Sequence, residues 1–314
     1  MFGRRADGYL VKNMDPVVSL TPYLMPMRCD AQVMMSYKLE YEKLARYMAE
    51  KGREGYRVTF MEIFIAAYVR AISQMPEVNR FIMNKRFYAR KDILCSFAVL
   101  QNTADNSVKE NVAKCAFDPH DTIFDVAARI KAAIDETRKA DADNTTLKLA
   151  NLLKNPLIAN IIVMLARILD RYGLLPRAII DASPFHTGLF FGNNASIGLP
   201  PVYHHIYNFG TTSLFVVIGN VERKVELDST GAPVRKRILP AGVTADERVC
   251  AGMVYSKFMT LFQHLINNPH ELETPPEQVY FDEGHVISLP PAKKSKSRFR
   301  SRLGRVMKKN RKAS

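Results

Sequence analysis

Ala245-Asp246-Glu247-Arg248-Val249-Cys250-Ala251-Gly252 sets three charged side chains and a thiol immediately before an apolar helix predicted over residues 253–266, and it is the first place to look for chemistry. Outward from it, the chain of 314 residues, 47% hydrophobic, has material for one large core or two small ones. The net charge of +14 is uneven. Residues 291–314 hold 11 of the 45 Lys and Arg and no acid, so the rest carries 34 against 31, or +3. Four cysteines, Cys29, Cys95, Cys115 and Cys250, lie far apart with no C-x-x-C and no cleavable leader before them, which implies a reduced, cytoplasmic protein without a zinc ribbon. The longest apolar run, residues 157–169, is broken by Arg167 and falls short of the roughly 20 residues a bilayer-spanning helix needs.

In chain order, residues 1–30 are rich in Pro, Gly and Arg and read as an irregular arm. Residues 33–39 read as a strand and 40–51 as a helix with Tyr41, Leu44, Tyr47 and Met48 on one face. Thr59 and Glu62 have capping-box spacing, opening a helix to Met75 that is apolar nearly all round and hence buried. Residues 93–100 and 112–117 form a strand pair across a polar turn at 103–107, and an amphipathic helix opens at Asp121 or Thr122. Residues 145–180 then interpose Leu147, Leu149, Leu152 and Leu153, a helix start at Pro156 and the run 157–165. This segment is either an extra core helix pair or an apolar lid or face for a lipid or partner. Residues 185–196 and 214–219 read as strands, and 279–287 as an edge strand.

Asp246-Glu247-Arg248 with Ala251-Gly252 resembles the D-H-R-x-x-D-G signature of the dihydrolipoamide acyltransferase catalytic core and its relative chloramphenicol acetyltransferase, at the same place near the chain's end. Asp246, Arg248 and Gly252 match; Glu247 stands at the histidine's place and Ala251 at the second acid's. Pro76-Glu77-Val78-Asn79 resembles the family's P-x-L-N step, and the 185–196 segment resembles its T-F-T-I-S-N-L-G strand, continuing through Asn193 and Ser196-Ile197-Gly198. The resemblance covers roughly residues 33–268, and the elements follow the family's order. It implies an α/β fold, an α+β two-layer sandwich with a mixed sheet flanked by helices. It also implies a homotrimer with active sites between subunits, and acyl transfer between coenzyme A, as co-substrate, and a thiol, hydroxyl or amine acceptor. The family's lipoyl and subunit-binding domains have no room here, so no lipoyl group is expected on this chain.

In the family the signature's histidine takes a thiol proton. A free carboxylate, at about 4.3 against about 8.5 for a thiol, is a worse base than imidazole by roughly 3 kcal/mol. Burial in an apolar channel, as Phe190, Phe191, Phe215 and Met253 suggest, would restore much of that difference. Glu247 is therefore the candidate base, expected at the end of a narrow channel facing the 185–196 strand of its own or a neighbouring subunit; otherwise it caps the last helix or pairs with Arg248 or another arginine. The family's oxyanion-stabilising serine falls on Gly192 here, leaving Asn193, Thr187 or a backbone amide to donate. Phe191, Arg248 and Gly252 complete the candidate substrate contacts. His204 and His205 form the obvious alternative base pair or border of the channel, although adjacent histidines before a buried strand also occur for structural reasons. The remaining histidines lack metal-ligand spacing, and no metal is expected. A non-catalytic relative serving as scaffold or binding subunit is the alternative function, given the losses at Glu247, Ala251 and Gly192. The basic tail, with Phe299, Leu303, Val306 and Met307 spaced for one helical stripe, reads as a solubilising segment or a reversible anchor on anionic membrane. The nearly neutral body argues against nucleic acid as partner.

Overall fold

The computed structural model describes residues 5–102, 108–140, 154–227 and 229–282. The turn at 103–107, the leucines at 147–153 and the basic tail lie outside them. The chain begins with β1 (Gly8–Leu10) and α1 (Pro16–Leu24). The sequence expectation of an irregular arm is corrected here. Asp15 accepts hydrogen bonds from the amides of Val17 and Val18, Pro16 presets the first turn, and β1 finds its partner far along the chain in β4, in the register Gly8↔Arg90.

The elements that follow are β2 (Gln32–Glu40), α2 (Tyr41–Arg53) and α3 (Phe60–Gln74). The Glu62 carboxylate accepts from the Thr59 amide at 2.8 Å, as the capping box requires. The buried helix α3 packs Phe64 against Phe191 and Phe262, with ring centroids 5.6 and 6.1 Å apart. A short hairpin, β3 (Arg80–Met83) and β4 (Arg86–Arg90), joins β1 in a three-stranded sheet of order β1-β4-β3. Then come β5 (Ile93–Asn102), β6 (Val108–Phe117), α4 (Ile123–Ala140), α5 (Pro156–Arg171), α6 (Arg177–Ala182), β7 (Leu189–Asn193), β8 (Leu214–Ile218), β9 (Glu222–Leu227), β10 (Pro233–Asp246) and α7 (Gly252–Asn267).

The main sheet has seven strands in the order β2-β10-β8-β7-β5-β6, with β9 paired to the first half of β10. It is mixed: β5, β7 and β8 run parallel, and the remaining pairs are antiparallel. Strand alternation sends Leu214, Val216, Ile218, Val243 and Ala245 toward the helices, where they join the main core with Phe64, Phe258 and Phe262. Phe190, Phe215 and Val217 point to the other face and are covered by Ile206 of the loop at residues 199–213. The protein is thus an α/β fold built as a helix layer on one side of a mixed sheet. Among the described residues, no helix is long and apolar enough to cross a membrane.

Three further expectations change. The strand expected at 185–196 shortens to β7, because Asn193 turns its side chain back to accept from the Ser196 amide and starts a 3-10 turn. Residues 279–282 form no strand; Tyr280 donates its amide to Ser73 and Asp282 ion-pairs with Arg80 at 2.6 Å. The rest of that segment lies outside the described residues. Lastly, α5 is not a core helix. Asn155 caps it, but Leu157, Ile161, Met164, Leu165 and Ile168 are exposed and only Asp170 near its end is buried. Continuous apolarity signals burial only if a second surface arrives to cover it, and no element of this chain's described part does.

The loop over the outer sheet face is pinned at Gly210, which has φ of +84° and whose Cβ, if present, would lie 2.3 Å from the Phe185 carbonyl oxygen. The amides of Thr211 and Thr212 donate to that same oxygen. Gly210→Ala is expected to destabilise the protein by at least about 2 kcal/mol, since a strained φ and a backbone clash add. Gly231→Ala, at the same φ in open space, should lose only about 1 kcal/mol. Urea unfolding of both variants measures the difference.

Candidate functional site

The turn between β10 and α7 is organised by one carboxylate. Asp246 and Arg248, 1% and 2% exposed, form a two-pronged pair with Nε–Oδ1 of 2.8 Å and Nη2–Oδ2 of 2.7 Å. Arg28, from the segment before β2, places its Nε 3.5 Å from Asp246 Oδ2, outside hydrogen-bond geometry. Burial pushes the Arg28 guanidinium down, Asp246 pulls it back up, and neighbouring Arg248 lowers it again. The Tyr255 hydroxyl donates to the Asp246 carbonyl at 2.7 Å, tying α7 to the end of β10, and Arg248 Nη1 donates to the Met25 carbonyl at 2.9 Å. The charge cluster and the Tyr255 hydroxyl therefore hold the end of β10, the start of α7 and the segment before β2 in register.

Between these two inward-pointing residues, Glu247 points the other way. Its amide donates to the Ala31 carbonyl at 2.9 Å, and its exposed side chain lines an open groove of about 380 Å³ between β2 and α7. Val33, Met35 and Tyr37 form one wall; Tyr255, Ser256, Met259, Thr260 and Gln263 form the other. Neither structural role expected for Glu247 is present. Ala251 is the N-cap residue of α7, Arg248 is engaged with Asp246, and Glu247 has no ionic or hydrogen-bond partner for its carboxylate among the described residues. Gly252 lies on the groove with no atom within 4 Å of where a Cβ would stand, so its small size is not imposed by packing. Cys250 is buried, and burial, then nearby Glu77, push its thiol up to about 12, which removes it as a nucleophile.

The other sequence candidates sit elsewhere. Thr187 is wholly buried and donates to the Leu189 carbonyl, and Phe191 is core against Phe64. His204 stacks on Phe215 at 4.1 Å and 13°, and its Nδ1 meets the His205 carbonyl at 2.8 Å; His205 is exposed. Gly192 lies beside Val217, whose nearest methyl would be 3.3 Å from a Cβ at residue 192, and Asn193 is half-buried at the end of β7. Because Phe215 pairs with Thr244 while Leu214 pairs with Ala245, the histidines occupy the sheet face opposite the Glu247 groove. Within this chain Glu247 does not face β7. The remaining candidate residues fall into two groups on opposite faces of the sheet, with Thr187, Phe191 and Arg248 built into the frame. Sequence reading passed over Arg28 and Tyr255, neither of which belongs to a motif or a periodic face that sets it apart. No group of three His, Cys, Asp or Glu suited to a metal occurs among the described residues.

The chain matches no family profile and no curated protein. Its fold does match solved structures. A probable dihydrolipoamide acetyltransferase from Listeria monocytogenes aligns at TM-score 0.52 and 14% identity, over 86% of this chain and 98% of that one. The Azotobacter vinelandii dihydrolipoamide acetyltransferase aligns at 0.53 and 11%, over 84% and 94%. A truncated catalytic core of the 2-oxoacid dehydrogenase multienzyme complex from Thermoplasma acidophilum aligns at 0.50 and 13%, over 82% and 98%. The chain has the fold of the dihydrolipoamide acyltransferase catalytic core, as the ordered partial motifs led one to expect.

Replacing Asp246 by Asn strips two buried guanidinium groups of their carboxylate and is expected to remove about 3–5 kcal/mol of stability. Glu247→Gln, on the groove, should change stability by no more than about 0.5 kcal/mol. Denaturant midpoints of the two variants check the contrast between frame and groove.

Proposed function

We propose that this protein is an acyltransferase of the dihydrolipoamide acyltransferase type with a carboxylate as its base, working as a homotrimer with each active site shared between two subunits. The observation that carries the reading is Glu247: an unpartnered carboxylate on a groove, at the turn where the signature places the base, with every structural duty taken by its neighbours. The two groups of candidate residues on opposite sheet faces support shared sites, since a second copy could bring the His204 and β7 side of one subunit to the Glu247 groove of another. Coverage of the groove would also bury Glu247, which strengthens a carboxylate as a base.

In this reading Glu247 takes the proton of an incoming thiol, hydroxyl or amine as that group attacks the acyl carbonyl, and returns it to the leaving group. Asn193 or a backbone amide near Gly192 would donate to the oxyanion between those steps. Tyr37, Ser256, Thr260 and Gln263 offer the groove neutral hydrogen-bonding groups suited to the amides of an extended arm. Coenzyme A bound there would supply the thioester or accept the acyl group. A mechanistic study of the Azotobacter vinelandii enzyme concerns a serine, a histidine and an asparagine, the last two four residues apart. Glu247 and Ala251 have that spacing here, and the change at both places, with Gly192, favours the second reading, a non-catalytic scaffold.

A thiol-release assay with acetyl-coenzyme A and dihydrolipoamide separates the two. Turnover by the wild type that is lost in Glu247→Gln supports the first. If the wild type is silent, Glu247→His with Ala251→Asp should raise thiol-dependent transfer by up to about 10²–10⁴. Neither turnover nor gain, with folding intact, leaves the scaffold reading. Sedimentation at several concentrations is expected to give three times the chain mass.

A further inference from the structure

On the far side of Arg248 from the Glu247 groove is an open cavity of about 430 Å³ with a strongly basic lining. Arg28, Lys85, Arg167, Arg171 and Arg248 contribute cations to it, against the single carboxylate of Asp170. That carboxylate is already engaged: it accepts from Arg5 at 2.7 Å and meets His186 Nε2 at 3.2 Å. Arg28 and Arg248 share Asp246, which leaves Lys85, Arg167 and Arg171 without a carboxylate partner among the described residues.

The cavity is assembled rather than a chance gathering of surface charge. Asn84 and Lys85, the two residues joining β3 to β4, both have positive φ, 50° and 60°. Positive φ at both positions is what a tight two-residue hairpin turn requires, and the turn sets both side chains at the hairpin tip. Asn84 Oδ1 accepts from Arg171 Nε at 3.1 Å, latching the hairpin tip to the end of α5, and Lys85 Nζ lies 4.8 Å from the centre of the Tyr23 ring. Buried Arg28 adds an Nε with no hydrogen-bond acceptor.

Apolar side chains surround this basic mouth. Met164 and Ile168 share a helical face with Arg167 and Arg171 and are 56% and 46% exposed. From α1 and the residues after it, Tyr23, Leu24 and Met27 are exposed at 60%, 77% and 51%, with Met27 on the cavity itself. A soluble phosphate compound would use the cations and leave these apolar groups in water. A second copy of the chain would need a carboxylate-rich surface to match them. An anionic bilayer offers both requirements at once, phosphate in the headgroup layer and an apolar layer just beneath.

We propose that the cavity bounded by the β3–β4 turn and α5 receives the phosphate of an anionic phospholipid while exposed side chains of α1 and α5 enter the headgroup layer. The proposal is independent of the acyl-transfer reading. It places the membrane contact on the folded body, in addition to any contribution of the basic tail.

The test is co-sedimentation of the full-length protein with vesicles of phosphatidylcholine alone and of phosphatidylcholine with phosphatidylserine. Binding is expected only with phosphatidylserine. At about 1 kcal/mol per charge near the surface, Arg167→Gln with Arg171→Gln should weaken it roughly thirtyfold at low salt. Lys131→Gln with Lys257→Gln, an equal change of charge on exposed residues of α4 and α7, should weaken it much less. Ile168→Ser, which leaves every charge in place, should also weaken binding. Equal losses in the two charge pairs would mean diffuse attraction and overturn the proposal, as would no loss in the cavity pair. Binding of inorganic phosphate by a protein that ignores vesicles would assign the cavity to a soluble ligand instead. A cavity pair that changes the oligomeric state would assign the surface to a subunit contact.

Discussion

The carboxylate of Asp246, gripped by Arg248 and approached by Arg28, is the constraint on which the site geometry depends. Removing three charges from water is expensive, and a buried set of this kind persists where the remaining donors find acceptors. Here carbonyls from distant segments accept from both arginines, Met25 from Arg248 and Tyr207 from Arg28 at 2.7 Å, and only Arg28 Nε is left without an acceptor. The desolvation cost is thereby converted into placement. The end of β10, the chain before β2, and the outer-face loop are positioned by one charge cluster, and Glu247 is turned outward because its two neighbours are turned inward.

Much of this was legible in the sequence where local physics and tertiary packing agree. The Thr59–Glu62 spacing announced α3, and the apolar residues all round it announced its burial. The 93–117 strand pair was readable from its polar turn. By contrast, β10 gave no sequence signal as a strand, because Pro240 and Gly242 interrupt the alternation. In the sheet Pro240 sits one residue beyond the end of the β8 pairing, where its missing amide proton does little harm. Gly242 is needed because the Val202 carbonyl oxygen would lie 2.5 Å from a Cβ there. Both breaks in the pattern record contacts with segments that pattern reading does not see.

At the site, sequence located the turn but not its neighbours. Identity and spacing pointed to residues 246–252 and to the histidines, yet which face of the sheet each occupies depends on strand parity across β7, β8 and β10. A shift of one residue in any of those registers would have exchanged the faces. The apolar helix α5 was ambiguous for a related reason: hydrophobicity says that a surface will be covered, not by what.

The strand order has one more consequence. Of the strands in the main sheet, β2, β5 and β6 come from the first part of the chain, and β7, β8, β9 and β10 from the second. The first-part strands β2 and β5 do not touch; β10, β8 and β7 fill the space between them. As the chain leaves the ribosome, the early β5–β6 hairpin and the lone β2 therefore have no way to join until the late strands arrive. Loop closure on that scale precedes any reward from contacts, so formation of the main sheet should be slow and cooperative. During that interval β2, with apolar Val33, Met34 and Met35 beside its unpaired edge, is the segment most exposed to pairing with the wrong chain.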